Sequence, residues 1–208
     1  MNLLYDQLFV KEVLYDSVTP WHQDQAYYAV EGKQIGSTWV PLDPVPHEAS
    51  MLYLCGSHTW GTGRDWLPTR FIQGGEEYQG FTGNMKPLPD IDELLIRRSD
   101  ASDPGLVGHF EHNGKLWDVR TFEVMPGDVL LFHGACLHAA PGNPSNTNRR
   151  RALAIRWVGD DCVWVEKDDA THQIPNTPTA ANMPRDLKAG DPLRLDEVAF
   201  PRGWPRTL

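Results

Sequence analysis

Hydrophobic residues in this chain come in short runs of roughly alternating character, cut at close intervals by glycine and proline. Such alternation predicts half-buried strands. The segments that show it are LLYDQLFVKEV, PWHQDQAYYA, GSTWVPL, SMLYLCGSH, LWDVRTFEV, DVLLFHGACLHAA and RRALAIRWVG, each rich in β-branched, aromatic or leucine residues. Many short strands between turn residues predict an all-β sandwich or barrel. One helix is predicted in DIDELLIRR, where Asp90, Asp92 and Glu93 precede Arg97 and Arg98 in the order the helix dipole favours.

Turn chemistry adds two expected hairpins. Pro126 and Gly127 suit a type II turn, so TFEV and DVLLF are expected to pair. The polar loop in HAAPGNPSNTNRRRALAIRW separates two apolar strands that are likewise expected to be neighbours, with His138 facing an arginine of the next strand.

At 208 residues, 40% hydrophobic and with eight tryptophans, the chain predicts one domain over 1–208. From Asp168 onward Pro, Asn, Thr and Asp dominate, so 168–208 is expected to wrap irregularly over a core of 1–167, anchored by Phe200 and Trp204. The formal net charge of −9 and the lack of a basic stripe argue against nucleic-acid and membrane partners. Cys55, Cys136 and Cys162, an odd number without CxxC spacing, suggest reduced thiols. With neither a signal peptide nor an apolar span, the expected location is cytoplasmic.

Candidate chemistry centres on TPWHQDQAYY. On a strand His22 and Asp24 share one face, and a histidine with a carboxylate forms two-thirds of a metal site. His138, from a strand distant in sequence, is the strongest third ligand. Two histidines and one carboxylate make the face typical of non-haem Fe(II) oxygenases, which leaves positions open for a bidentate co-substrate and dioxygen. An arginine after His138 supplies what a keto acid needs, because its planar fork binds a carboxylate bidentately. A lone HxD is more often a surface pair than a ligand set; Trp21, Tyr27 and Tyr28 around it supply the context of a shaped pocket.

The strings TPWHQDQAYYAVEG, STWVPLDPV, GSHTWG, MPGDVLLFHGACLHAAPGN and RRALAIRW, in that order, resemble the phytanoyl-CoA dioxygenase family of Fe(II)- and 2-oxoglutarate-dependent oxygenases. The resemblance implies an all-β core, a double-stranded β-helix or cupin-like jelly roll with minor helices, and iron at its open end. It implies His22, Asp24 and His138 as iron ligands and Arg150 as the anchor of the far carboxylate of 2-oxoglutarate. Lys11 and Trp39 fall where the family makes further contacts to that co-substrate. The implied reaction consumes O2 and 2-oxoglutarate, releases succinate and CO2, and hydroxylates a small-molecule substrate. Asp24 argues for oxygen transfer, since related halogenating enzymes carry a small residue there to admit chloride.

Three departures from the family pattern are visible. The usual segment before the first strand is lacking, which predicts either a truncated form or a homo-oligomer that covers the N-terminal edge. Ala140 stands where many members have a small hydroxyl residue two after the distal histidine, so a hydrogen bond to the co-substrate is lost. Val13 replaces a common proline.

The other candidates read structurally. His133 is expected to pack on the face opposite His138, and His58 to line the pocket or cap a turn. His47, His109, His112 and His172 are expected to be solvated. Arg156 shares parity with Arg150 and is the second choice for a carboxylate partner, whereas Cys136 is expected to be a small core residue. The loop Thr59–Gly108, with Trp60, Trp66 and Tyr78, is expected to cover the pocket and set specificity. Two other classes remain open: a non-catalytic metal- or metabolite-binding relative, and a cupin-like metalloenzyme of another reaction type.

Overall fold

Strands form along most of the alternating segments, as seen in a computed structural model that describes residues 1–60, 90–98, 101–165, 187–195 and 201–203. In chain order the elements are β1 (Asn2–Lys11), β2 (Thr19–His22), β3 (Val30–Glu31), β4 (Ile35–Pro41), β5 (Leu52–Leu54), α1 (Ile91–Leu94), β6 (Ile96–Arg97), β7 (Leu106–His112), β8 (Lys115–Thr121), β9 (Leu130–His133), β10 (His138–Ala140), β11 (Arg150–Val158) and β12 (Val163–Trp164). A four-stranded sheet runs β1-β11-β4-β9, a six-stranded sheet runs β2-β10-β5-β8-β7-β6, and β12 pairs with β3.

Residue parity decides what enters the core. Along β11, Arg150, Ala152, Ala154, Arg156 and Val158 are buried while the residues between them reach solvent. On β4 the same alternation buries Ile35, Ser37, Trp39 and Pro41. Trp39, Ala152 and Ala154 of one sheet pack with Tyr53 and Ala140 of the other, so the sheets enclose one interior as a jelly roll. Further clusters around Tyr5, Tyr28 and Val158, and around Leu54, Phe110 and Leu137, extend that core.

Both predicted hairpins are absent. Pro126 and Gly127 do turn the chain, with Gly127 at φ +109° and the Asp128 amide donating to Met125 O at 2.9 Å. Yet the flanking β8 and β9 belong to different sheets, and Val124 bridges to Val45 instead. A turn signal fixes a local reversal, not the strand that becomes the neighbour. For the same reason β10 and β11 are not partners: β10 lies between β2 and β5, and β11 between β1 and β4. The run DVLLFHGACLHAA also splits in two, at a turn where the Cys136 amide donates to His133 O at 2.8 Å. Gly134 in that turn lies so close to Ile35 that an added Cβ would stand 2.7 Å from its Cγ2.

DIDELLIRR yields only one helical turn. Asp90 caps α1 by accepting from the Glu93 amide at 2.9 Å, but Leu95 is extended and Ile96–Arg97 pair with His109 and Gly108 of β7. A nearby ladder therefore captures residues that the charge pattern assigns to a helix. β7 itself goes unpredicted, although its hairpin to β8 carries the Asn-Gly signal: Asn113 and Gly114 have φ of 52° and 71°, as a type I′ turn needs.

Described parts of the tail lie against the core. Leu193 is buried, the Leu3 amide donates to Pro201 O at 2.8 Å and the Gly203 amide to Met1 O at 3.0 Å. Phe200, Trp204, Trp66, Tyr78, His172 and most of the expected pocket-covering loop lie outside the described residues. Among the described residues no helix is long and apolar enough to cross a membrane.

Candidate metal centre

The two histidines meet through strand pairing. His22 on β2 and His138 on β10 are directly opposed, with ring centroids 4.2 Å apart. Asp24 arrives differently from the sequence expectation. β2 ends at His22, and Asp24 opens a tight 3₁₀ turn rather than the next position on the same pleat. That turn is tied to the segment entering β10: the Gln25 amide donates to Gly134 O at 2.8 Å and Gln23 Nε2 to Ala135 O at 2.7 Å. Two buried glutamines thus supply the donors that aim Asp24 at His138.

The Nε2 atoms of His22 and His138 lie 3.7 and 3.8 Å from the same oxygen, Asp24 Oδ1. Two atoms bound to one ion at ~2.1 Å stand at most ~4.2 Å apart, so these separations suit a shared cation. Among the described residues this is the one group of ligand side chains gathered for a metal, each able to offer an atom within 4.8 Å of the others. Nδ1 of His22 contacts Pro20 O at 2.8 Å, and Nδ1 of His138 contacts Cys136 O at 3.0 Å. A carbonyl only accepts, so both Nδ1 atoms carry a hydrogen, which leaves Nε2 of each ring as the atom that can offer a lone pair inward. A divalent cation satisfies three converging acceptors of this kind, and the donor set is of the non-haem iron type.

Asp24 Oδ2 points the other way. It accepts from Ser37 Oγ at 2.7 Å and lies 3.6 Å from Arg156 Nε. Burial, the largest single influence, works to raise the Asp24 carboxyl, but Arg156, His138 and His22 together outweigh it and hold the group well below the usual carboxylate range. Burial, reinforced by His22, pushes His138 down to about 3, so its ring is neutral around pH 7. Arg156 donates to Tyr28 Oη at 3.3 Å and lies over the Tyr5 ring at 5.1 Å. The sequence reading missed Ser37 and gave Arg156 a different task. Their shared signal is parity: Ser37 lies two residues before Trp39 on β4, and Arg156 six after Arg150 on β11.

A second polar group stands around Arg150. Its guanidinium is buried, donates through Nη1 to Ala49 O, and sits 5.9 Å from the Trp39 ring. Lys11 is buried as well, and its ammonium donates to Ser17 O at 2.8 Å, Pro141 O at 2.7 Å and, weakly, Ala140 O at 3.5 Å. Burial and the neighbouring Arg150 lower Lys11 to about 8; burial alone lowers Arg150 to about 10. Among the described residues no carboxylate lies within ion-pair distance of either. Two adjacent buried cations with no carboxylate partner among the described residues form a candidate anion site.

Three other histidines are engaged elsewhere. His133 Nδ1 accepts from the Ala135 amide at 3.0 Å, so Nε2 donates to Lys33 O at 2.7 Å. His109 pairs with Asp118 at 2.9 Å, and the exposed His58 lies against His133 with ring centroids 5.5 Å apart. The buried Cys136 thiol, pushed up to about 11 by burial, bonds to backbone and to Ser57.

Comparison with solved structures finds the same fold at low identity. The non-heme alpha ketoglutarate dependent carbocyclase SnoK from nogalamycin biosynthesis is 19% identical, with a TM-score of 0.59 over 96% of this chain and 61% of that one. The epimerase SnoN, in complex with Fe3+, alpha ketoglutarate and nogalamycin RO, is 18% identical, with a TM-score of 0.54 over 92% and 61%. A non-heme monooxygenase, ThoJ, is 19% identical, with a TM-score of 0.50 over 81% and 50%. The chain thus spans about half to three-fifths of these proteins. No curated protein matches its sequence. The phytanoyl-CoA dioxygenase family model matches residues 1–152, and the chain belongs to that family of Fe(II)- and 2-oxoglutarate-dependent oxygenases.

Proposed function

We propose that this chain is an oxygenase that hydroxylates a small molecule, with His22, Asp24 and His138 holding Fe(II). The observation that carries the reading is the convergence of two carbonyl-locked Nε2 atoms on one oxygen of Asp24. The chemistry supplied by bound Fe(II) with 2-oxoglutarate is activation of O2, coupled to decarboxylation of the keto acid to succinate.

The protein's own part is binding, orientation and exclusion of water. Arg150 receives the far carboxylate of 2-oxoglutarate as a fork; Trp39 provides a flat wall beside it; Lys11 adds positive charge and pins the segment that follows His138. Ala152 and Ala154, small buried residues between the two inward arginines of β11, pack with Trp39 in the same interior. Ser37 and Arg156 fix the second oxygen of Asp24, so the carboxylate presents only one to the metal. Asp24 occupies the position that a halogenating enzyme leaves open for chloride.

Hydroxylation is the finer part of the claim, because the similar SnoK and SnoN are named a carbocyclase and an epimerase. SnoN's bound nogalamycin RO makes that compound and its analogues the first small molecules to screen. The test is incubation with Fe(II), 2-oxoglutarate and ¹⁸O2 over such a panel. One ¹⁸O in the product per succinate supports hydroxylation; succinate with an unlabelled, rearranged product refutes hydroxylation and keeps the oxygenase.

A further inference from the structure

Two thiols stand opposed at the end of the ladder that carries His138. The Cα partners of β10 and β5 run Ala139 with Leu52 and His138 with Tyr53. Pairing carries on beyond these residues, because the Leu54 amide donates to Leu137 O at 3.0 Å and the Cys55 amide to Asp118 O of β8 at 2.8 Å. The next opposed pair in that register is Cys136 with Cys55. Each lies two residues from a member of the His138–Tyr53 pair, so both project on the interior face that carries the candidate metal ligand.

Side-chain contacts agree with that placement. Cys136 Sγ lies 3.7 Å from Leu54 O, the carbonyl of the peptide that leads into Cys55. Across a trans peptide that oxygen and the next Cα are ~2.8 Å apart, so Cys136 Sγ is within about 6.5 Å of Cys55 Cα. Cys55 is also close enough to act electrostatically on the Cys136 thiol. Ser57 Oγ bridges the two chains, accepting from the Leu137 amide at 2.8 Å and donating to Leu54 O at 2.7 Å. A disulfide spans Cα separations of about 4.4–6.8 Å, and opposed residues of an antiparallel pair fall at about 4.5–5.5 Å. Cys55 is half-buried and Cys136 buried, so an oxidant meets Cys55 first, whereas Cys162 packs in a different cluster with Tyr5 and Val158. The Cys136 carbonyl meanwhile holds Nδ1 of His138 at 3.0 Å, so a bond at Cys136 acts on the segment that orients this ring.

We propose that Cys55 and Cys136 are a peroxide-responsive thiol pair that closes into a reversible disulfide and staples β5 to the segment entering β10. Hydrogen peroxide oxidises the Cys55 sulfur to a sulfenic acid and is itself reduced to water. The Cys136 sulfur then attacks that sulfur: the S–S bond forms, the S–O bond breaks, and the hydroxide leaves with the Cys136 proton as a second water. The two thiols lose two electrons in all, and peroxide gains them. A thiol near an oxidising metal is thereby held on a reversible rung, short of sulfinic acid. That use rests on the oxygenase reading above, whereas the bond itself needs no metal. The staple closes a loop from 55 to 136, so the oxidised fold is expected to resist unfolding more strongly. Register already opposes the pair, so His138 keeps its place and Fe(II) affinity is expected to be unchanged.

The test is treatment of the metal-free protein with hydrogen peroxide, at about pH 8.5 because burial raises both thiols, followed by alkylation and peptide mass mapping without reduction. The expected result is a linked Cys55–Cys136 peptide that reductant abolishes, found in wild type and in Cys162→Ser but not in Cys55→Ser. The denaturation midpoint should rise on oxidation and return on reduction, with Fe(II) affinity unchanged. Separate alkylation or sulfinic oxidation of the two thiols, a link to Cys162, or a link between two molecules overturns the proposal. A Cys55–Cys136 link that forms only in denaturant, or that abolishes Fe(II) binding, overturns its placement in the native ladder. None of these readouts involves 2-oxoglutarate, so the proposal and the oxygenase reading fail separately.

Discussion

Ser37 Oγ donates a hydrogen bond to Asp24 Oδ2 at 2.7 Å, and so leaves Oδ1 as the oxygen that both candidate histidine ligands face. The hydroxyl is fully buried on β4, where no water can replace it. Ser37→Ala should free the carboxylate to rotate toward a bidentate or unproductive pose. Outer partners of this kind contribute about 10- to 100-fold in metal affinity. Fe(II) or Co(II) titration of Ser37→Ala should show that loss with an unchanged circular dichroism spectrum.

Arg156 is the charge that keeps Asp24 ionised in a buried setting. Arg156→Met keeps the hydrophobic stem over Tyr5 and Phe9 but strands the carboxylate. Breaking one side of a buried pair typically costs about 3–5 kcal/mol. Chemical denaturation of the metal-free protein should show a loss of that order, and saturating Fe(II) should restore part of it by supplying a new counter-charge.

Lys11 sets a pH signature. Its folded-state value is about 8, against about 10.4 for an unfolded lysine. Between these values the unfolded chain binds more protons than the folded one, so stability rises with pH across the window. Below pH 8 both states are charged and the cost of burying the ammonium beside Arg150 is fully present. Wild type should therefore gain stability relative to Lys11→Met from pH 8 to 9.5, by up to about 1.4 kcal/mol per pH unit. A difference that stays flat over that range would contradict the placement.

Much of the site was legible because its residue types are restrictive. His22, Asp24 and His138 were readable from an HxD pair and a late histidine, and the structure brings the three together. The route was not readable. Asp24 comes off a turn held by the Gln23 side chain on Ala135 and the Gln25 amide on Gly134, long-range bonds that no local pattern encodes. Parity carried Arg150 and Arg156 inward but could not say that Arg156 grips Asp24, since that depends on how β11 lies against the β2 turn. Strand pairing failed for a related reason. In a jelly roll the chain changes sheet at its turns, so Pro126–Gly127 reverses direction without pairing the strands it joins, whereas Asn113–Gly114, a true two-residue hairpin, was overlooked among polar neighbours.

The most direct measurement is an anaerobic titration of the metal-free protein with Fe(II) and then 2-oxoglutarate, followed through the weak visible charge-transfer band of an iron-chelated keto acid. His138→Ala, whose Nε2 lies 3.8 Å from Asp24 Oδ1, is the paired control. A band in the wild type that is lost in the variant is the predicted result. A folded, metal-loaded wild-type protein without the band would contradict the assignment of this centre to Fe(II) and 2-oxoglutarate.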